Sequence, residues 1–156
     1  MIWIPGNVPS LKNSKVKTKR GIFSSPTVNK YIRKLGIQSF SSSKKEVKGY
    51  VDPTRPNQIE ALRAEFEKML ENAGGEPVFI GYHQVRGSKR LFDFSNSVEI
   101  LQDLFTAHDF IEDDNVKYVF PVPMTIKGKL PTAANIRTEK WYSVDKDNPG
   151  VFIKIF

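Results

Sequence analysis

Among the 156 residues there is no cysteine, and there are only two histidines. The first absence excludes a disulfide framework, a thiolate zinc site and a thiol nucleophile. The second leaves His83 and His108 isolated from one another, each read as a polar capping or solvent-facing residue rather than a metal ligand. No apolar run approaches the ~20 residues that span a bilayer. The opening stretch, MIWIPGNVPS, lacks the basic start and apolar segment of a secretory signal. Neither of the standard glycine-rich phosphate loops occurs, and no nucleophile signature supports a Ser-His-Asp triad. A single soluble, cytoplasmic domain of bacterial or viral type, with no membrane partner, is the expectation.

Acidic residues are scarce in one part of the chain. Residues 1–50 hold 11 Lys and Arg against a single acid, Glu46, a balance of +10. Residues 51–156 hold 13 Lys and Arg against 16 Asp and Glu, a balance of −3. A basic third joined to a mildly acidic remainder fits a polyanion-binding surface that serves an acidic centre. A basic arm without a specific ligand would give the same charge pattern, so charge alone leaves both open.

The hydrophobic pattern divides the chain into short elements. Met1 to Ile4 reads as a strand broken by Pro5-Gly6-Asn7, and Val16 to Phe23 as a second strand. Ser25 followed by Pro26 predicts a helix start, with Gly36 as its stop after about Leu35. Residues 38–57, rich in Ser, Lys and Pro, read as a mobile loop. Ile59, Leu62, Phe66, Met69 and Leu70 recur at helical spacing up to Ala73-Gly74-Gly75. Val78 to Val85 reads as a strand, followed by a polar turn, Arg86 to Arg90.

A helix from about Ser95 to Ala107 carries Val98, Leu101, Leu104 and Phe105 on one face. At ~100° per residue, Asn96, Glu99 and Asp103 fall within about a 60° arc on the other side. An acidic turn, Ile111 to Asn115, leads to an extended stretch from Val116 to Ile126. Residues 127–149 read as a polar, irregular insertion before a last strand over Gly150 to Phe156. Interspersed strands and helices without regular βαβ repetition predict an α+β domain, a small mixed sheet packed with helices. Trp3 and Trp141 read as packing residues rather than base-stacking platforms.

The carboxylates are the candidate chemistry. Asp93 precedes the Ser95–Ala107 helix and Asp114 follows it, so the two can converge, with Glu99 and Asp103 along the helix and Asp113 beside Asp114. Hard cations such as Mg²⁺ take oxygen ligands, commonly one or two carboxylates completed by water and substrate phosphate. Acids within a basic protein suit a metal that attacks a backbone held by cations. A solvated acidic turn and a solvated helix face would show the same residues.

The run Phe92-Asp93-Phe94-Ser95-Asn96, then Leu101-Gln102-Asp103-Leu104, then Phe110-Ile111-Glu112-Asp113-Asp114-Asn115-Val116 resembles the RusA-like Holliday-junction resolvases. The family core reads D-x-D-N, a helix with an Asp-Ala-Leu step, then a hydrophobic pair and D-D. Asp93, Asn96, Asp103, Asp113 and Asp114 match it without a gap, and Pro9-Ser10-Leu11-Lys12-Asn13 is similar, more loosely, to the loop after the family's first strand. The similarity covers roughly residues 89–122, with weaker agreement over 1–35.

The resemblance implies a homodimeric, Mg²⁺-dependent endonuclease of phage or prophage type that cuts four-way DNA junctions by paired nicks, with Mn²⁺ as a possible substitute. Asp93 and Asp114 would be metal ligands, Asp113 their neighbour, Asn96 an orienting residue and Asp103 a support. Two positions depart from the family: its second Asp is Ser95 here, and a basic residue one turn along the helix is Glu99. Glu99 can supply the missing carboxylate, because i and i+4 share a helix face. The cations assigned to branched DNA are Lys12, Lys15, Lys17, Lys19 and Arg20 with Asn13, assisted by Lys30 and Arg33, and Lys89 and Arg90 near the acids. The alternative is a non-catalytic DNA-binding relative with a degenerate metal site. An RNA-binding domain is a third reading, against which stands the lack of an aromatic RNP-type motif.

Overall fold

A computed structural model describes residues 1–10, 15–18, 21–35 and 59–156, with 15–18 and 21–24 described by their backbone alone. The loop expected over 38–57 lies outside the described residues. Ten elements follow in order: β1 (Ile2–Pro5), β2 (Lys15–Thr18), β3 (Gly21–Ser24), α1 (Pro26–Lys34), α2 (Arg63–Ala73), β4 (Val78–Arg86), α3 (Phe94–Ala107), β5 (Val119–Pro123), β6 (Tyr142–Val144) and β7 (Gly150–Ile155).

β4 is the axis of a five-stranded sheet. On one edge it pairs antiparallel with β7, whose far edge takes β1, also antiparallel. On its other edge β4 takes two parallel strands in succession, β5 along Val78–Tyr82 and then β6 along Gln84–Arg86. The sheet is therefore mixed, and with three α-helices among the described residues the domain is α+β. No described helix is long and apolar enough to cross a membrane.

The local signals mostly operate as expected. Ser25 caps α1, its Oγ accepting from the Val28 amide at 3.4 Å with Pro26 in the first turn. Gly74, at φ +78°, ends α2 in a left-handed conformation that a side chain would resist. The first turn of the α2 stretch, Glu60–Leu62, is 3₁₀ rather than α.

Three expectations are corrected. The single strand over Val16 to Phe23 is a hairpin, β2 against β3, with Thr18 opposite Gly21. Folding back gives each half a partner for its backbone polar groups. The extended stretch from Val116 narrows to Val119–Pro123. The 127–149 insertion, expected to be irregular, contains β6, three residues too short to leave an alternating pattern. It takes up the backbone of β4 where β5 has ended.

The core lies between one sheet face and the helices. Ile2, Ile4, Ile80, Tyr82, Val151 and Ile153 meet Ile32, Phe66, Leu101, Leu104 and Phe105, all buried. Phe66 of α2 stacks on Phe110 and packs tilted against Phe105, with ring centroids 5.0 and 4.9 Å away. The opposite sheet face packs Trp3 on Phe152 at 4.5 Å. Glycine is required at two close approaches there. A Cβ on Gly150 would collide with the Trp3 ring, and one on Gly81 would stand 2.8 Å from the Phe156 ring.

Candidate functional site

Asp93 is held at the start of α3 as its N-cap. Its Oδ1 accepts from the Ser95 amide at 3.0 Å, the Asn96 amide at 3.4 Å and the Ser95 hydroxyl at 2.7 Å. Its Oδ2 accepts from Asn96 Nδ2 at 3.0 Å. A carboxylate suits this position because it answers orphan amides and the positive end of the helix dipole. Asn96 thus holds the Asp93 carboxylate through its side-chain amide. Ser95, where the family has a second Asp, is a donor to Asp93.

On α3 the apolar face is buried as expected, but the polar arc is not simply solvated. Asn96 is buried, and Glu99 and Asp103 are half-buried. Glu99 Oε2 is buried and has no hydrogen-bond partner among the described residues, an oxygen that a cation could satisfy. In the turn after α3, Asp113 accepts from the Asp114 amide at 2.8 Å and from Asn115 Nδ2 at 2.7 Å. Asp113 therefore shapes the backbone that carries Asp114.

Among the described residues no group of three or more His, Asp and Glu side chains could hold a metal ion. Asp93, Glu99 and Asp114 are not gathered into a three-carboxylate cage. The donor chemistry fits only the open kind of Mg²⁺ site, in which few carboxylates are completed by water and phosphate oxygens. The unpartnered Glu99 Oε2 is the observation in favour of a cation.

Asp93 opens onto a cleft of about 440 Å³ lined with Ser10, Arg86, Leu91, Phe92 and Ser97. The loop after β1 is drawn to the end of β4 by two hydrogen bonds. Arg86 Nη1 donates to the Val8 carbonyl at 2.8 Å, and the Gly87 amide donates to Asn7 Oδ1 at 3.2 Å. The Arg86 guanidinium lies over the Phe92 ring, 4.7 Å from its centroid. Burial pulls its pKa below the ordinary arginine value, and its Nε has no partner among the described residues.

No protein-family model, curated protein or solved structure matches the chain.

The residues assigned to DNA are spread over several segments. Lys12, Asn13, Lys19 and Arg20 lie outside the described residues, and Lys15 and Lys17 are placed on β2 by backbone alone. Lys30 and Arg33 are exposed on α1, and Lys89 and Arg90 are exposed in the turn before Asp93. Arg86 escaped sequence reasoning because it reads as the first residue of a polar turn, whereas it is the last of β4. Its partners come from distant segments.

The histidines serve the fold. His83, fully buried, has Nδ1 at 3.0 Å from the Met124 carbonyl and Nε2 at 2.7 Å from Ser143 Oγ. His108 caps the end of α3, and its Nδ1 is 3.5 Å from Glu60 Oε2.

Proposed function

We propose that the chain is a RusA-like, Mg²⁺-dependent endonuclease that acts as a homodimer and cuts four-way and other branched DNA. One observation carries the reading. The two stretches that resemble the family, the loop after β1 and the Asp93 segment, are distant in sequence yet contribute Ser10 and Asp93 to one cleft.

In this reading Asp93, with Asp114 or Glu99 as a second carboxylate and with water and phosphate oxygens completing the set, would hold Mg²⁺, which when bound would activate water and stabilise charge on the phosphate. Asn96 keeps the Asp93 carboxylate in one orientation through the 3.0 Å bond to Oδ2. Arg86 puts a desolvated positive charge in the same cleft, suited to a phosphate oxygen. Lys89 and Arg90, exposed just before Asp93, hold the DNA backbone together with the basic first third of the chain.

A second reading is a DNA-binding relative that does not cut. It is favoured by the engagement of both Asp93 oxygens in the helix cap and by Ser95 in place of an acid. Incubating synthetic four-way, Y-shaped and linear DNA with Mg²⁺, Mn²⁺ or EDTA separates the two. Metal-dependent paired nicks in branched DNA alone support the nuclease, binding without nicks supports the relative, and no binding removes both.

A further inference from the structure

Beside the Asp93 cleft lies a second depression, about 280 Å³, lined with Leu91, Phe92, Phe94, Pro123, Trp141 and Tyr142. Beside that lies a third, about 680 Å³, whose lining includes Lys89, Lys140, Trp141 and Tyr142. Neighbours share walls: Leu91 and Phe92 belong to the first and second, Trp141 and Tyr142 to the second and third. The three form one groove, with an acid and Arg86 at one end, aromatic rings in the middle and lysines at the other end.

The middle is built rather than incidental. Trp141 Nε1 donates to the Ile136 carbonyl at 3.0 Å, which fixes the indole. Tyr142 meets Phe92 edge-on, centroids 5.4 Å apart at 81°, and remains 42 % exposed. Leu91 is 96 % exposed, an apolar side chain left in water at the rim. This apolar floor is bracketed by cations: Arg86 over Phe92 on one side, Lys89 and Lys140 on the other. Glu139, on the third wall, is 3.8 Å from Lys129. Apolar rings flanked by positive charge at both ends match a strand whose bases stack while its phosphates meet the cations. An apolar peptide or a second copy of the chain would have no need of the flanking charge.

We infer that this groove is a track for an unpaired DNA strand, with a base received among Leu91, Phe92, Trp141 and Tyr142 and the adjoining phosphates on Lys89 and Lys140. The inference rests on the proposed action on branched DNA and adds what would hold a strand whose pairs open at the branch point. It also gives residues 127–149 a task, since that segment supplies both Trp141 and Tyr142. Trp141, expected to be a packing residue only, becomes half of the stacking floor.

The chain has two tryptophans, so Trp3→Phe leaves Trp141 as the sole indole reporter. Titrating this variant with oligothymidylate should quench its fluorescence. Tyr142→Ala and Leu91→Ser should each weaken oligothymidylate binding about tenfold. Lys89→Ala with Lys140→Ala should lower the salt slope of that binding by about 0.7 for each phosphate that no longer meets a lysine. Leu91 is exposed enough that its replacement leaves the fold intact, which an unchanged melting midpoint checks. If the full-length protein binds or cuts a four-way junction while oligothymidylate neither quenches Trp141 nor responds to these variants, the track is wrong and the proposed function stands. If no DNA of any form binds, both fall. Loss of self-association in Leu91→Ser or Tyr142→Ala, with DNA binding unchanged, would instead place the groove between copies of the chain and overturn the inference.

Discussion

His83 and Ser143 are joined by a 2.7 Å hydrogen bond in which the imidazole Nε2 accepts from the serine hydroxyl. The direction follows from the other ring nitrogen. Nδ1 faces the Met124 carbonyl at 3.0 Å, and a carbonyl can only accept, so Nδ1 carries the proton. One buried ring therefore ties β4 to β6 and to the turn after β5. Trp141 and Tyr142, immediately before Ser143, are positioned by the same tether.

Burial pushes both His83 and His108 below the ordinary imidazole value, His108 despite the opposing pull of Glu60. Below pH ~6.5 the unfolded chain then binds more protons than the native one. Stability should be at its full value above that pH and fall as the pH drops from about 6.5 toward 5. Urea midpoints at a series of pH values test this, and a midpoint that does not move would mean the two rings titrate normally. Ser143→Ala, which leaves Nε2 buried without its donor, should cost about 1–3 kcal/mol.

Asp93 has two tasks that substitution can separate. Asn is as good an N-cap as Asp, whereas Ala removes the cap at a cost of about 1 kcal/mol. Asp93→Asn should thus melt close to the wild type, lose cleavage of four-way junctions, and bind them as well or better. Asp114→Asn should behave in the same way. Wild-type cleavage by both variants would exclude this site.

Glu99 tests the departure at Ser95. If Glu99 takes the place of the family's second acid, Glu99→Gln abolishes cleavage as fully as Asp93→Asn, and adding Ser95→Asp partly restores it. Calorimetric Mg²⁺ titration of the same variants should follow activity. An active Glu99→Gln enzyme would return the buried Oε2 to a purely structural account.

The basic third should act on DNA through charge. Changing Lys15, Lys17, Lys19 and Arg20 to Ala should weaken binding on every sequence. Each cation withdrawn from a phosphate should lower the slope of log K against log salt by roughly 0.9. Filter-binding titrations from about 50 to 200 mM salt give that slope directly, and an unaltered slope would remove this segment from the interface.

What the sequence determined by itself was local. The Ser25–Pro26 start of α1, the Gly74 end of α2 and the apolar stripe Val98, Leu101, Leu104, Phe105 of α3 each follow from neighbours within four residues. Even Asp93 was legible as a residue just before α3, whose first helical residue, Phe94, lies one position before the expected start. The tertiary structure decided which strands meet. It placed β5 and β6 in turn along one edge of β4, folded Val16 to Phe23 back on itself, and found a partner for three residues of a polar insertion. It also brought Ser10 and Arg86 to Asp93, and Trp141 to Phe94. Caps and periodicity are satisfied within one turn of backbone, so they leave a mark on adjacent residues. A cleft or a strand pairing closes long loops and is chosen by burial summed over the whole chain, which no short window of residues contains.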